Sequence, residues 1–431
     1  MLRLPAILLC IAAVAPAAAL SSADRRFLED LSHRNFLYFW ENADPGTGLV
    51  LDRARIDRVP LHPGRQVASL AATGFGLTAL AMAADHRWVP QDQIRRRVAL
   101  TLRFFMVNSP GKYGFYYHWL DPATGERRWE SEVSSIDTAL LLAGVLTVRQ
   151  RFADDPEIVR LADELYRRAD FTWLLRPDLT LGHGWKPESG MLLASWNSFS
   201  ELMLLYILAI GSPTHPIPPE TWYAWARPVS GYHGIRYVNG SAPLFSHQYS
   251  QAWIDFRGTR EGPPDAIDWF ENSVRATRAH RLFCMELSRL FPDYGPQTWG
   301  ISASDSERGY RAWGGPPADP DLDGTLVPNA AAGSLMFTPA LSLTALRTMR
   351  ARYGARIYGR YGFTDAFNPL TGWTDPEVIG IDQGITLISA ENLRAGTVWK
   401  YFMRNPEIAA AMQRAGLRKR QRSVPHAGGG R

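Results

Sequence analysis

The chain has 431 residues, of which 46% are hydrophobic and only two are cysteines, so it can bury a sizeable core but cannot depend on a disulfide framework. The formal net charge of +5 resides at the ends, because five basic residues and no acid lie in 416–431 and Arg3 is the single charge in 1–19. The remaining body carries −1, which argues against nucleic acid or a polyanionic sugar as the main ligand.

The first 19 residues have the pattern of a secretion signal. Arg3 precedes an apolar run at 7–15, and small residues follow at 17–19. That run is shorter than the about 20 residues that cross a bilayer, and no other stretch is long and apolar enough. We therefore predict a signal peptide at 1–19, export to the periplasm or the medium, and no transmembrane segment. A buried N-terminal helix is the alternative.

Apolar residues recur at helical spacing throughout 24–415, with start and stop signals between the segments. In chain order, the predicted helices are 24–42, 66–85, 91–108, 132–152, 156–175, 195–211, 267–291, 338–353, 380–404 and 406–415, with weaker candidates at 219–226 and 247–256. Strand signals are few and short, such as 231–238.

Nearly all-apolar helices alternate with amphipathic ones, as the inner and outer helices of a ring would. The alternation predicts an all-α fold, an (α/α)6 toroid with short β-hairpin and loop insertions. An irregular α-helical protein is the alternative. No long linker interrupts 24–415, so we predict one domain there, followed by a basic disordered tail at 416–431. Cys284, in an apolar helical run, is expected to be a buried small hydrophobe.

Acids stand beside apolar helical runs in two segments. In 129–139, Asp137 lies inside the predicted helix, where an acid that points inward is costly unless it is paired. Glu130 precedes it, and for this residue a helix-capping role is favoured. In 195–201, Glu201 directly precedes an apolar run, a half-buried position that raises a carboxyl pKa and suits a general acid. A solvated first-turn Glu is the alternative.

Further segments combine polar, aromatic and glycine residues. Segment 245–257 offers groups that bind hydroxyls and stack on sugar rings, although its His could be a core residue. Asp382 opens a helix between two glycines, where an N-cap role is the alternative. The ten His show no metal-ligand spacing, and we predict no metal or organic cofactor. The candidate binding residues are Glu132, Trp196, His247, Gln248, Tyr249, Trp253, Arg257, Asp305, Tyr310 and Trp313.

Together these segments resemble the bacterial glucoamylase-like domain family, which includes the β-1,2-glucanases of glycoside hydrolase family 144. The resemblance extends from about residue 27 to residue 404. The matching stretches are 135–139, 196–201, 211–216, 245–257, 303–305 with 309–310, 323–325, 361–368 and 380–384. So many ordered matches are specific for the family, and much less so for the linkage that is cut.

The resemblance implies an (α/α)6 toroid that hydrolyses β-1,2-linked glucan with inversion. It implies that Glu201 is the general acid and that Asp382 is the counterpart of the general base, acting on water directly or through a substrate hydroxyl. It also implies that Asp137 is a third acid in the cleft. Inversion requires the acid and the base to be about 6.5–9.5 Å apart. The pair Ser198-Phe199 departs from the expected pattern, a change that would alter the subsites.

The alternatives are a transglycosylase or an α-glucan glucoamylase on the same fold, and a non-catalytic glucan-binding protein. We expect a monomer whose partner is an oligo- or polysaccharide.

Overall fold

The structure is a computed structural model that describes residues 20–240, 243–316 and 321–419. The predicted signal peptide at 1–19 and the tail residues 420–431 lie outside the described residues. Within these, the helices are α1 (Ser22–Glu41), α2 (Leu70–His86), α3 (Gln91–Val107), α4 (Ser135–Arg151), α5 (Pro156–Arg168), α6 (Met203–Gly211), α7 (Tyr249–Trp253), α8 (Trp269–Leu287), α9 (Pro328–Ala332), α10 (Pro339–Tyr353), α11 (Gly380–Ala395), α12 (Thr397–Phe402) and α13 (Pro406–Arg414).

All strands in the described residues have two to four residues and pair antiparallel. They are β1 (Arg53–Arg55), β2 (Ala68–Ser69), β3 (Gly111–Lys112), β4 (Phe115–Tyr117), β5 (Trp119–Leu120), β6 (Val133–Ser134), β7 (Gly184–Lys186), β8 (Gly190–Met191), β9 (Val229–Tyr232), β10 (Ile235–Val238), β11 (Thr259–Arg260), β12 (Ala303–Ser304), β13 (Arg311–Ala312), β14 (Tyr358–Gly359), β15 (Gly362–Phe363), β16 (Phe367–Asn368), β17 (Trp373–Thr374), β18 (Glu377–Ile379) and β19 (Arg418–Lys419). The largest sheet has the order β3-β4-β6-β7-β8, and the others are pairs.

The helices form two concentric rings. The inner helices α2, α4, α6, α7, α9 and α11 are buried on nearly every side. The outer helices α1, α3, α5, α8, α10 and α13 each bury one face. The inner ring proceeds from α2 through α4, α6 and α7 to α11, with α9 beside α11, and α11 closes it by packing on α2. The predicted all-α (α/α)6 toroid is confirmed.

Two glycines set the closest contact of the inner ring. A Cβ on Gly144 of α4 would lie 2.1 Å from the carbonyl oxygen of Gly74 on α2. A Cβ on Gly74 would lie 2.3 Å from the carbonyl oxygen of Leu140. Real Cβ atoms cannot come so close to backbone oxygen, so the two helices touch backbone to backbone only because both positions lack a side chain.

Several predicted boundaries need correction. The helix predicted at 195–211 begins only at Met203, because Ser195 and Ser198 form β-bridges to Gly182 and Ala226. The five-residue inner helix α9 was not predicted. The weak candidate at 247–256 contains a 3-10 turn followed by α7.

At the C-terminal end, the described part of the predicted disordered tail is ordered. Arg418–Lys419 pair with Thr259–Arg260 as β19 and β11. Cys284 is free and buried, as predicted. Among the described residues, none of the helices has the length and apolar character needed to cross a bilayer.

Candidate active site

The N-terminal ends of several inner helices open into one cavity of about 180 Å³. Because helix N-termini carry partial positive charge, this end of the ring favours negatively charged groups. The lining residues are Asp52, Ser69, Ala71, His118, Trp119, Ile136, Asp137, Leu140, Glu201, Phe245, Tyr249, Ala303, Tyr310, Ile381 and Asp382. The three predicted catalytic acids, Asp137, Glu201 and Asp382, therefore share one cavity.

Two of these acids are presented in the same way. A short strand runs directly into the helix, and the acid is the third helical residue, as Asp137 is in α4 and Asp382 is in α11. An isoleucine precedes each acid, so Ile136-Asp137 and Ile381-Asp382 occupy equivalent positions on two inner helices. The repeated strand-to-helix turn places both carboxyl groups at the same end of the ring.

Glu201 lies two residues before the first residue of α6 and faces the cavity. Burial disfavours its charged form and, with the nearby negative charge of Asp137, raises the pKa of Glu201 to about 7. A carboxyl group with such a pKa is about half protonated near neutral pH, so it can donate a proton. The structure thus gives Glu201 the property that the sequence predicted for a general acid.

His118 joins Asp137 to Glu132. Its Nδ1 lies 3.0 Å from Glu132 Oε1, and its Nε2 lies 3.6 Å from Asp137 Oδ1. Burial opposes the charged imidazolium, but the two acids outweigh this effect and raise the pKa of His118 to about 9. The ring of Trp119 stacks on the imidazole with a centroid distance of 4.0 Å. A positive charge therefore lies between two carboxylates on the Asp137 side of the cavity.

Asp137 is held from a second side by the helix cap. Ser134, the N-cap of α4, donates a hydrogen bond through its Oγ to Asp137 Oδ2 at 2.5 Å. The same Oγ accepts the backbone N–H of Asp137 at 3.3 Å. This reciprocal pair orients the carboxylate and satisfies the first turn of α4.

On the opposite side, Asp382 is in contact with two buried polar side chains. Burial raises the pKa of Asp382, whereas hydrogen bonds from Asp365 and Asn329 act against the rise. Asp365 is only 1% exposed, and burial together with the charge of Asp382 raises its pKa strongly. Asp382 is thus one member of a pair of buried carboxyl groups.

Arg53 binds several of the acids that surround Asp365 and Asp382. Its guanidinium donates to Asp305 Oδ2 at 2.6 Å and to Asp52 Oδ2 at 3.0 Å, and it lies 3.4 Å from Glu377 Oε2. Arg65 binds Glu377 in a bidentate manner at 2.8 and 2.9 Å. Predicted binding residue Asp305 is therefore part of the acid network beside Asp382, not an isolated ligand for substrate.

Two groups within the described residues bring three donor atoms within 4.8 Å of one another, and they could in principle surround a cation. They are His118 with Glu132 and Asp137, and Asp305 with Asp365 and Asp375. In the first group, the imidazole already supplies a positive charge between the acids. In the second, Arg53 binds Asp305. Each group is therefore in contact with a cationic side chain of the chain itself.

The structure separates the other predicted binding residues into two sets. Tyr249 and Tyr310 line the cavity, and Glu132 contacts it through His118. Tyr310 is 54% exposed and forms part of the rim.

The second set lies away from the cavity. His247 is buried against Phe199, and burial lowers its pKa to about 3, so it is a core residue, which was the alternative. Gln248 and Trp253 are buried as well, since the former donates to Ala330 O and the latter to Thr78 Oγ1.

Three more predicted binding residues are also placed elsewhere. Trp196 stacks on His183 and donates to Ser135 Oγ. Arg257 is exposed and pairs with Asp255. Trp313 is buried in a core cluster. The capping role favoured for Glu130 was wrong, because Ser134 caps α4.

The residues of the site that were not singled out from the sequence include Asp52, His118, Trp119 and Asp365. They lie on short strands or adjacent loops, without helical periodicity. The signal that was available is local, an aromatic run ending in His118-Trp119 and the Asp365 within the matched stretch 361–368.

Comparison with known proteins agrees with the geometry. A family model described as "Putative glucoamylase" matches residues 194–406. A solved structure with the same description, from Bacteroides fragilis NCTC 9343, is 29% identical, with a TM-score of 0.84, and covers 94% of this chain and 100% of that chain. The endo-β-1,2-glucanase of Chitinophaga pinensis, solved with sophorotriose and glucose, is 27% identical, with a TM-score of 0.84, and covers 93% of this chain and 99% of that chain.

A curated relative has a more specific description. It is the exo β-1,2-glucooligosaccharide sophorohydrolase (non-reducing end) of Parabacteroides distasonis, 27% identical over 433 residues. The match covers 91% of this chain but 58% of the relative, so the chain spans less than two thirds of that protein's length.

Proposed function

Because this chain belongs to the glucoamylase-like family, we propose that it is a glycoside hydrolase that cleaves β-1,2-linked glucan by an inverting acid–base reaction. The observation that carries the proposal is the pairing of Glu201, whose pKa is raised to about 7, with the buried acid Asp382 in one cavity. Related proteins are described as acting on β-1,2-linked glucans, which supports the choice of linkage.

In the proposed reaction, Glu201 donates its proton to the glycosidic oxygen as the bond to the anomeric carbon breaks. The sugar develops oxocarbenium character, and the leaving saccharide departs with a new hydroxyl group. Glu201 is suited to this step because burial keeps it protonated until the oxygen becomes basic.

Asp382 takes the proton of the attacking water, directly or through a substrate hydroxyl, while the water oxygen bonds to the anomeric carbon from the opposite face. After the step, Glu201 carries the negative charge and Asp382 carries the proton, and exchange with solvent restores both. The negative charge of Asp137 raises the pKa of Glu201, and in the proposed reaction Asp137 and His118 also bind sugar hydroxyls. Trp119 and Tyr310 offer ring faces at the edge of the cavity.

The decisive experiment incubates the protein with linear and cyclic β-1,2-glucans, β-1,3-glucan and α-1,4-glucan, and resolves the product anomers and chain lengths. Release of α-anomers from β-1,2-glucan supports the proposal. Retention of configuration would point to a transglycosylase instead. Turnover of α-1,4-glucan alone would favour a glucoamylase, and binding without product would identify a glucan-binding protein.

The product lengths also separate endo from exo action, which differ between the two related proteins. We further propose export to the periplasm or the medium, on the signal-like residues 1–19. N-terminal sequencing of the mature protein tests that assignment.

A further inference from the structure

Asp365 lies between β15 and β16, behind Asp382 as seen from the cavity. It does not line the cavity, but its carboxyl group is close enough to that of Asp382 for each to change the pKa of the other. Asp365 is 1% exposed and Asp382 is 5% exposed. Two buried carboxyl groups in direct contact cannot both be ionised, so the pair holds one proton.

The surroundings indicate which carboxyl group holds this proton. Asp382 stands in the first turn of α11, where the helix favours a negative charge, and it receives a hydrogen bond from Asn329. Asp365 Oδ2 accepts the backbone N–H of Asp305 at 2.7 Å, but Asp365 Oδ1 accepts no hydrogen bond from any described donor. A proton on Oδ1 turns the contact with Asp382 into a bond between a carboxylic acid and a carboxylate.

The charged neighbours favour the same assignment. Oxygen atoms of Asp305 and Asp375 lie within 4.8 Å of one on Asp365. The guanidinium of Arg53 binds Asp305 and neighbouring acids instead of Asp365. The titratable and charged groups that face the pair are Tyr38, Asp52, Arg53, Tyr249, Asp305, Tyr310, Asp375 and Glu377. Acids outnumber cations there, so a second negative charge on Asp365 is strongly opposed.

We propose that Asp365 is a positioning residue that stays protonated and donates its hydrogen bond to Asp382, so that Asp382 is the ionised member and acts as the base. The proposal rests on the proposed function for the role of Asp382 as base, but the location of the proton is independent of any substrate. The donor fixes the direction of the Asp382 carboxylate, and it also lowers the pH at which Asp382 loses its own proton.

The test compares Asp365→Asn with Asp365→Ala. The Asn amide still donates to Asp382 and still accepts from the Asp305 N–H, whereas Ala can do neither. We expect Asp365→Asn to retain most of the turnover and to leave the acid limb of kcat/KM within about half a pH unit of the wild type. Asp365→Ala should lose about 10- to 100-fold in kcat and move the acid limb up by about 1–2 pH units.

The matched control is Asp323→Asn. Asp323 caps a nearby loop through Thr325 N at 2.9 Å and lies outside the carboxyl cluster, so neither kcat nor the pH limb should change. Equal losses in both Asp365 variants with an unshifted acid limb would show a structural role only and overturn the proposal. Loss of activity on chelation that Ca²⁺ restores would also overturn it, because the cluster would then hold a cation and not a proton.

A substrate-free readout separates this proposal from the proposed function. The infrared difference spectrum of wild type minus Asp365→Asn at neutral pH should contain the carbonyl stretch of a protonated carboxylic acid. The spectrum of wild type minus Asp323→Asn should lack it. If the band is present but no glucan is hydrolysed, the proposed function fails and the location of the proton stands. If the band is absent, the proposal fails whatever the activity.

Discussion

Replacement of Glu201 by Gln should separate the catalytic and structural effects of one buried carboxyl group. The substitution preserves the shape of the side chain and removes its transferable proton. Loss of general acid catalysis costs about 10²- to 10⁴-fold in rate, so we expect kcat on β-1,2-glucan to fall by that factor. Near-normal turnover would refute the assignment of Glu201 as the acid.

The same substitution should stabilise the fold above neutral pH. The pKa of Glu201 rises from its ordinary 4.5 to about 7 in the folded protein, so the folded state binds this proton more tightly than the unfolded chain does. Ionisation of Glu201 therefore costs stability progressively between pH 4.5 and about 7, by up to about 3 kcal/mol above that range. Because the Glu201 side chain is partly exposed to the cavity, we expect Glu201→Gln to raise the free energy of unfolding by on the order of 1–3 kcal/mol at pH 8.

Urea unfolding at pH 4, 6 and 8 measures this gain. The stability difference between Glu201→Gln and wild type should be small at pH 4 and should grow toward pH 8. The exposed Glu220 provides the control, since Glu220→Gln should change neither the activity nor the pH dependence of unfolding. A difference that is constant with pH would show that burial does not raise the Glu201 pKa, and the physical basis of the acid assignment would fail.

Asp382→Asn should lower kcat by at least about 10²-fold, as measured by product release. An active variant would exclude Asp382 as base. His118→Asn should be less stable than wild type by about 1–3 kcal/mol at pH 6. The pKa of His118 is raised from 6.5 to about 9, so the stability that its protonated ring contributes is complete below pH 6.5 and should disappear as the pH rises through 9. A difference in unfolding free energy between wild type and His118→Asn that persists at pH 10 would contradict the pairing with the two acids. Gly144→Val should lower the free energy of unfolding by about 3 kcal/mol, as measured in denaturant, since its Cβ would lie 2.1 Å from the oxygen of Gly74. Gly231→Ala should leave the free energy of unfolding unchanged, because its Cβ would have nothing within 4 Å.

The part of the fold that the sequence predicted is the part governed by local periodicity. The all-apolar run that became α2 can be satisfied only inside a ring of helices, and its amphipathic neighbour α3 only outside it. Prediction failed where long-range pairing overrides this pattern. Residues 195–198 directly precede a helical segment, but β-bridges from Ser195 to Gly182 and from Ser198 to Ala226 keep them out of the helix. The inner helix α9 was missed because five residues are too few to show a period.

The site residues likewise divide into those that a local sequence pattern predicts and those that depend on long-range pairing. Asp137 and Asp382 were recognisable because an acid inside an apolar helix is anomalous on sequence grounds alone. His118 reaches Asp137 only because β4 pairs with β6, placing Tyr116 opposite Ser134, a register that no local pattern encodes. Gln248 and Trp253 illustrate the opposite error, since a mixture of polar and aromatic residues is also what a hydrogen-bonded core requires.

The position of each acid relative to its helix explains how one cavity can hold a proton donor and a proton acceptor. Asp382 lies in the first turn of α11, where unpaired N–H groups and the helix dipole stabilise a carboxylate, and Asp137 lies equivalently in α4. Glu201 precedes the first residue of α6 by two positions and lacks such a place within a helix. The negative charge of Asp137 then works against ionisation of Glu201, so the protein stabilises charge on one acid and uses it to keep a proton on the other. The proposed acid role of Glu201 is therefore linked to where α6 begins, because a start one turn earlier would place its carboxyl group in a first turn that favours the charged form.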